Sequence, residues 1–232
     1  AWQNAVPRRA PYGRLRAQNG PADRVMEVLK PVKIEKLGGG RYRVDFGETV
    51  SGWVRLHRVR GEAGRRIEIK YLSESPNGSN AYTMKGEGPE DYATRFTWYV
   101  FREVELSGWP GELHPGQLTA EAVYSDVETT GGFACSNPLL NRIDRIWWRT
   151  QLDNMHGAVA SDCPHRERSA YTGDGQVACV TVMHNFDAAA FYSKWIRDIW
   201  GAQNVETGYV PNGAPWQPGC GGGVAWGAAM NI

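Results

Sequence analysis

Polar and apolar residues alternate through most of the first half of the chain. The run Arg41-Tyr42-Arg43-Val44-Asp45-Phe46 puts every second side chain on one face, and residues 53–57, 65–71 and 94–106 repeat the pattern. A period of two marks a strand with one buried face and one wet face. Turn formers punctuate these runs: Gly38-Gly39-Gly40, Gly61, Pro76-Asn77-Gly78 and Pro110-Gly111. Short alternating strands with such turns predict an antiparallel β-sandwich. The polar, Gly-rich stretch 73–91 reads as a long loop, and its Asn77-Gly78-Ser79 sequon as a turn.

The second half changes period. Ser136 can cap a helix whose Leu139, Ile143, Ile146, Trp147 and Thr150 fall on one face. Asp187 can cap another, with Phe191, Trp195 and Ile199 at helical spacing. Residues 177–186 are apolar nearly all round, as expected of a helix buried on most sides. The same spacing assigns Trp147, Trp148, Trp195 and Trp200 to core packing. Trp216 and Trp226 instead lie in the Gly/Pro-rich region after Gly208, where packing explains large rings less readily.

Composition sharpens the division. Of the 26 Lys/Arg and 25 Asp/Glu, 19 and 17 precede Gly132, whereas all four cysteines and six of the ten tryptophans follow it. The polar Gly131-Gly132 hinge predicts two domains, 1–131 and 132–232. A net charge of +1 lacks the basic excess of a nucleic-acid binder. No run of about 18 apolar residues is present to span a membrane. Cys135, Cys163, Cys179 and Cys220 are too irregularly spaced for a disulfide scaffold or a zinc site, and suit buried thiols better. No pattern calls for a metal or other cofactor. The chain begins at Ala1 without an initiator Met and stops in an apolar segment, which predicts an excerpt of a longer protein.

One segment resists a packing explanation: Ser161-Asp162-Cys163-Pro164-His165-Arg166-Glu167-Arg168-Ser169-Ala170-Tyr171-Thr172-Gly173-Asp174-Gly175. It joins two apolar helices yet holds three carboxylates, two arginines and a histidine. Burying such charges is costly unless they pair or serve a site. Carboxyl groups whose pKa values are driven apart suit a general acid and a general base. From chemistry alone, a catalytic site and a structural ion-pair network fit the cluster equally.

The string from Asp162 to Asp174 closely resembles the signature of bacterial α-L-rhamnosidases, glycoside hydrolase family 78. Asp45-Phe46-Gly47 with Ser51-Gly52-Trp53-Val54-Arg55-Leu56 is similar to the sandwich domain that precedes the catalytic domain there. Cys135-Ser136-Asn137-Pro138-Leu139-Leu140-Asn141 resembles the entry into the first barrel helix, and residues 211–216, 221–223 and 225–227 resemble the sugar-site loops. The resemblance implies a β-sandwich followed by an all-α region that is the first part of an (α/α)6 six-hairpin barrel. It implies an inverting glycosidase that cleaves terminal α-L-rhamnosyl linkages.

Residue by residue, the resemblance implies Glu167 as the general acid. It implies Asp162, Arg166 and Asp174 as groups that bind rhamnose hydroxyls, with Tyr171, Trp216 and Trp226 lining the sugar subsite. No residue matches the family's general base, and Ala228-Ala229 stands where many members carry an acidic residue. Twelve helices make such a barrel, so the rest of the parent polypeptide or a second chain is expected to cover the helices present here. The substrate implied is an L-rhamnose-containing glycoside, met in the periplasm or outside the cell. The alternatives are a non-catalytic carbohydrate-binding protein and another six-hairpin enzyme acting on uronic-acid glycans.

Overall fold

The structure, a computed structural model, describes residues 3–9, 15–72, 78–215 and 219–231. Eight strands come first: β1 (Asp23–Leu29), β2 (Lys33–Gly38), β3 (Arg41–Val59), β4 (Arg66–Tyr71), β5 (Ser79–Thr83), β6 (Glu90–Ala93), β7 (Tyr99–Ser107) and β8 (Leu118–Ser125). They form an antiparallel system in the order β1-β8-β3-β7-β4-β5, with β2 and β6 both joined to β3. The two runs expected as separate strands, 41–46 and 53–57, are one strand of 19 residues. Its first part pairs with β2 and β7, and its later part with β8 and β6. The register against β7 shifts between Asp45 and Val50, so the strand bends and serves both layers of the sandwich.

The loop expected at 73–91 is corrected in part, since β5 and the start of β6 lie within it. Both are short and polar, and their backbone pairing with β4 and β3 needs no apolar alternation. Asn77 lies outside the described residues. The strand expected over 94–106 begins only at Tyr99: Phe96 takes a positive φ of 63° and is fully exposed, so residues 94–98 form a connection into β7. β4 buries Ile67, Ile69 and Tyr71, and Phe101 meets both Tyr71 and Phe46 edge-on, with ring centroids 4.8 and 5.9 Å apart.

The later elements are α1 (Pro138–Asp153), a ribbon of β9 (Met155–His156) and β10 (Val159–Ala160), α2 (Thr172–Asn185), α3 (Ala189–Ala202) and the single turn α4 (Val224–Gly227). Asn137, not Ser136, caps α1: its side chain accepts from the Leu139 N–H at 2.9 Å, with Pro138 at the first helical position. Ala188, not Asp187, precedes α3, and the Asp187 N–H is donated to the Glu128 carbonyl.

Burial on most sides, expected over 177–186, is reversed, whereas the apolar face of α1 is uncovered here as expected of a helix that other parts of a longer protein cover. On α1, Leu139, Ile143 and Ile146 face outward, while Arg149, Gln151, Leu152 and Asp153 are buried. On α2, Val177 is 86% exposed and Val180 and Met183 are exposed too. The helix is buried only at Thr172, Gly175 and Val182. Trp195 is a core residue as expected, but Trp200 is 70% exposed. Trp147 and Trp148 pack against Phe186. No disulfide joins the four cysteines, and of these only Cys220 is buried.

Polar groups join the helices to the sheet. Arg149 grips the Glu27 carboxylate with two bonds of 2.9 and 2.8 Å and reaches Glu48 at 3.0 Å. Asp153 Oδ1 accepts the Ser51 N–H at 2.8 Å. Asp23 on β1 accepts from the Gly157 N–H and from Ser125. A Cβ on Gly131 would lie 2.0 Å from the His184 carbonyl oxygen, so only glycine fits there.

Candidate active site

The connection from β10 to α2 folds back on itself. Asp162 and Ser169 close it with two bonds of 3.0 Å, backbone to backbone and Ser169 N–H to Asp162 Oδ1. The Arg168 N–H donates to the Cys163 carbonyl inside that closure. Glu167 therefore projects from a short, tied loop. The polar atoms of Asp162, Cys163 and Glu167 lie within 4.8 Å of one another. The Cys163 thiol lies between the carboxyls, 3.2 Å from Asp162 Oδ2 and 3.4 Å from Glu167 Oε2. Arg166 pairs with the other Glu167 oxygen at 3.0 Å. These three donors have metal-ligating proximity, but the Arg166 guanidinium already supplies a cation to Glu167.

Burial pushes the Asp162 carboxyl up. Hydrogen bonds from Glu167, Cys163 and Ser169 outweigh that effect and hold it below its ordinary range. Burial, and the two acids beside it, raise the Cys163 thiol. The Glu167 side chain is 43% exposed, so its pairing with the still more exposed Arg166 is screened and weak.

Asp174 lies in the first turn of α2, where the helix dipole favours a carboxylate. It accepts from the Trp226 indole N–H at 3.2 Å. Thr172, fully buried, ties the start of α2 to two later segments: its hydroxyl donates to the carbonyls of Asn212 (3.1 Å) and Trp226 (2.8 Å). The Trp226 ring lies on Gly173, where a Cβ would come within 2.6 Å of the ring. Tyr171 bridges to Gly213, which sets the 211–214 segment beside the loop. Its phenol is raised by Cys220 and by the nearby carboxylates Glu167, Asp162 and Asp174.

A cleft of about 520 Å³ opens here, lined by Asp162, Asp174 and Trp226 together with Gln151 and Asn154. Of the residues proposed from sequence, these three share the cleft. Glu167, Arg166 and Tyr171 stand beside it rather than in its lining. Trp216 lies outside the described residues. In the sequence Cys163 reads only as one of four buried thiols, and nothing there points to Gln151 and Asn154. Gln151 sits on the polar, inward side of α1 and Asn154 just after its end, where no local pattern announces a site.

A sandwich feeding a helical part, with two carboxylates on the loop before α2 and a third in its first turn, is the arrangement of a carbohydrate-active enzyme site. Comparison with known proteins narrows this. Residues 35–124 match the bacterial alpha-L-rhamnosidase concanavalin-like domain, and residues 128–232 match the bacterial alpha-L-rhamnosidase 6 hairpin glycosidase domain. An alpha-L-rhamnosidase of Streptomyces avermitilis is 32% identical over 91% of this chain and 22% of its own length. One from Formosa agariphila is 30% identical over 80% of this chain and 21% of its own. The solved alpha-L-rhamnosidase from Dictyoglumus thermophilum superposes with a TM-score of 0.87 at 32% identity, over 94% of this chain and 26% of that one. The Streptomyces avermitilis enzyme, solved with L-rhamnose, gives 0.84 at 31% identity over 92% and 22%. The chain belongs to the bacterial α-L-rhamnosidase family, and it spans about a fifth of the length of these curated relatives.

Proposed function

We propose that this chain supplies the sandwich domain (1–131) and the acid-bearing start of the catalytic domain (132–232) of an inverting α-L-rhamnosidase. In this reading Glu167 protonates the glycosidic oxygen as the bond to the sugar breaks. Asp162 and Asp174 accept hydrogen bonds from rhamnose hydroxyls, and Arg166 donates to them. Trp226 and Tyr171, with Trp216, wall the apolar side of the sugar. A base carboxylate outside this sequence, roughly 6.5–9.5 Å from the acid, activates water on the opposite face of the ring. The exposed apolar faces of α1 and α2 pack against the rest of the parent polypeptide. The substrate, a rhamnosyl glycoside of external origin, favours a site of action outside the cytoplasm.

One observation carries this reading: the carboxyls of Asp162 and Glu167 lie within 4.8 Å of each other beside a cleft that Asp162, Asp174 and Trp226 line. A sugar bound in that cleft would have the Glu167 carboxyl beside it as a proton donor. The test is hydrolysis of a terminal α-L-rhamnoside by the full-length protein, followed by NMR of the first sugar released. The β anomer is expected first. Release of the α anomer first would refute inversion, and no release of rhamnose would refute the assignment.

A further inference from the structure

The structure places an aromatic residue of the sandwich domain directly against the acid loop. Arg168, next to Glu167, adopts a positive φ of 55°, a left-handed conformation that turns its side chain away from the path of the loop. Its guanidinium carbon sits 4.2 Å over the Trp98 ring and 5.8 Å from the Tyr99 ring centroid. On the other side of the indole lies the His156 imidazole, parallel within 7° and 3.8 Å away. That imidazole is anchored by the Ser51 hydroxyl at 3.0 Å, with Asp23 at 3.7 Å. Guanidinium, indole and imidazole thus form a three-layer stack in which a ring of the sandwich part is held between the acid loop and the β9 residue His156.

Arg168 makes no ion pair with a described carboxylate, although Asp162 and Glu167 belong to the same short loop. Ring faces attract a guanidinium through their quadrupole and leave its charge only partly compensated. We propose that Trp98 is a positioning residue, which holds Arg168 on its face and so keeps a second cation off the Glu167 carboxyl. Arg166 alone then attends the acid, through a solvent-exposed contact. The groups facing Glu167 are Arg166, Asp162, Cys163 and Tyr171. Those facing Arg168 are Trp98 and Tyr99, with His156 behind the indole. Released from the ring, Arg168 would reach its own loop's carboxylates and favour the ionised acid, the form that cannot donate a proton.

The inference rests on Glu167 being the general acid, and its test separates the two claims. In the full-length enzyme the alkaline limb of kcat/KM against pH reports ionisation of the general acid. Trp98→Leu is expected to move that limb to lower pH by about 1. Trp98→Phe, which keeps a ring face, should stay close to the parent. Adding Arg168→Met to Trp98→Leu should restore the limb. A merely structural role would lower activity at every pH without moving the limb, and a limb unmoved in folded Trp98→Leu overturns the proposal. If Trp98→Leu does not fold, Arg168→Met alone decides. An unchanged limb means the cation was already held off, and an upward shift means Arg168 acts on the acid and the proposal falls. Glu167→Gln is measured alongside. Persistence of its alkaline limb would refute the acid assignment, whereas loss of that limb with no shift in Trp98→Leu would refute the positioning role alone.

Discussion

In β4 every second residue is apolar, and those residues, Ile67, Ile69 and Tyr71, are completely buried. In α1 the apolar positions are equally regular, yet Leu139, Ile143 and Ile146 face outward while Arg149 and Asp153 are buried. The sheet covers its own face because its strands fold into two layers. The helix instead meets the sheet through its polar side. Periodicity tells which side of an element is apolar; it does not tell which side has a neighbour. This contrast supports packing of α1 and α2 against further parts of the parent polypeptide, since exposed apolar area of this extent is seldom left uncovered.

Substitutions can break the comparison. Phe101→Ala in the sheet core should cost about 3–5 kcal/mol in denaturant unfolding, whether the chain is studied alone or in the full-length protein. Ile143→Ala should cost about 2–4 kcal/mol in the full-length protein but within roughly 0.5 kcal/mol in this chain alone. Equal, small effects of Ile143→Ala in both contexts would mean that nothing covers the face.

The joint between the halves is the next most sensitive place. Arg149→Ala leaves Glu27 and Glu48 without their partner and should cost about 2–4 kcal/mol. Adding Glu27→Gln should recover part of that loss, because one stranded carboxylate is then gone. A double variant no better than the single would show that the carboxylate was not the source of the penalty.

Asp153 gives the joint a pH dependence. Burial is the main influence on its carboxyl and raises it from 3.8 to about 7, against the opposing Ser51 N–H. The folded state therefore binds more protons than the unfolded state between about pH 4 and 7. Stability should fall as pH rises through that window, by up to roughly 4 kcal/mol. Asp23 and Glu27, held below their ordinary range despite burial, act in the opposite sense at lower pH. Urea melts of the parent and Asp153→Asn from pH 4.5 to 8 isolate the effect, since the difference between them should grow with pH. Parallel curves would contradict it.

Much of the fold was legible in the sequence because alternation and turn residues are local signals. The strands at 41–46, 66–71 and 99–106 follow directly from them, and Asp162, Asp174 and Trp226 meet at one cleft. β5 and β6 were not legible, since polar edge strands are held by backbone bonds that leave no apolar pattern. The inward face of α1 was concealed for a related reason: Arg149 is buried by two carboxylates from β1 and β3, residues about a hundred positions away. Trp98 read as one more strand aromatic, because nothing local announces that an arginine seventy residues later will lie upon it.

The account depends most on Glu167 as proton donor, and leaving-group dependence tests that directly. Protonation matters most when the departing oxygen is a poor leaving group and little when it is a good one. In the full-length enzyme, Glu167→Gln should lower kcat/KM on an alkyl rhamnoside by roughly 10²–10⁴-fold, and far less on a dinitrophenyl rhamnoside. An equal loss on both substrates would contradict the account.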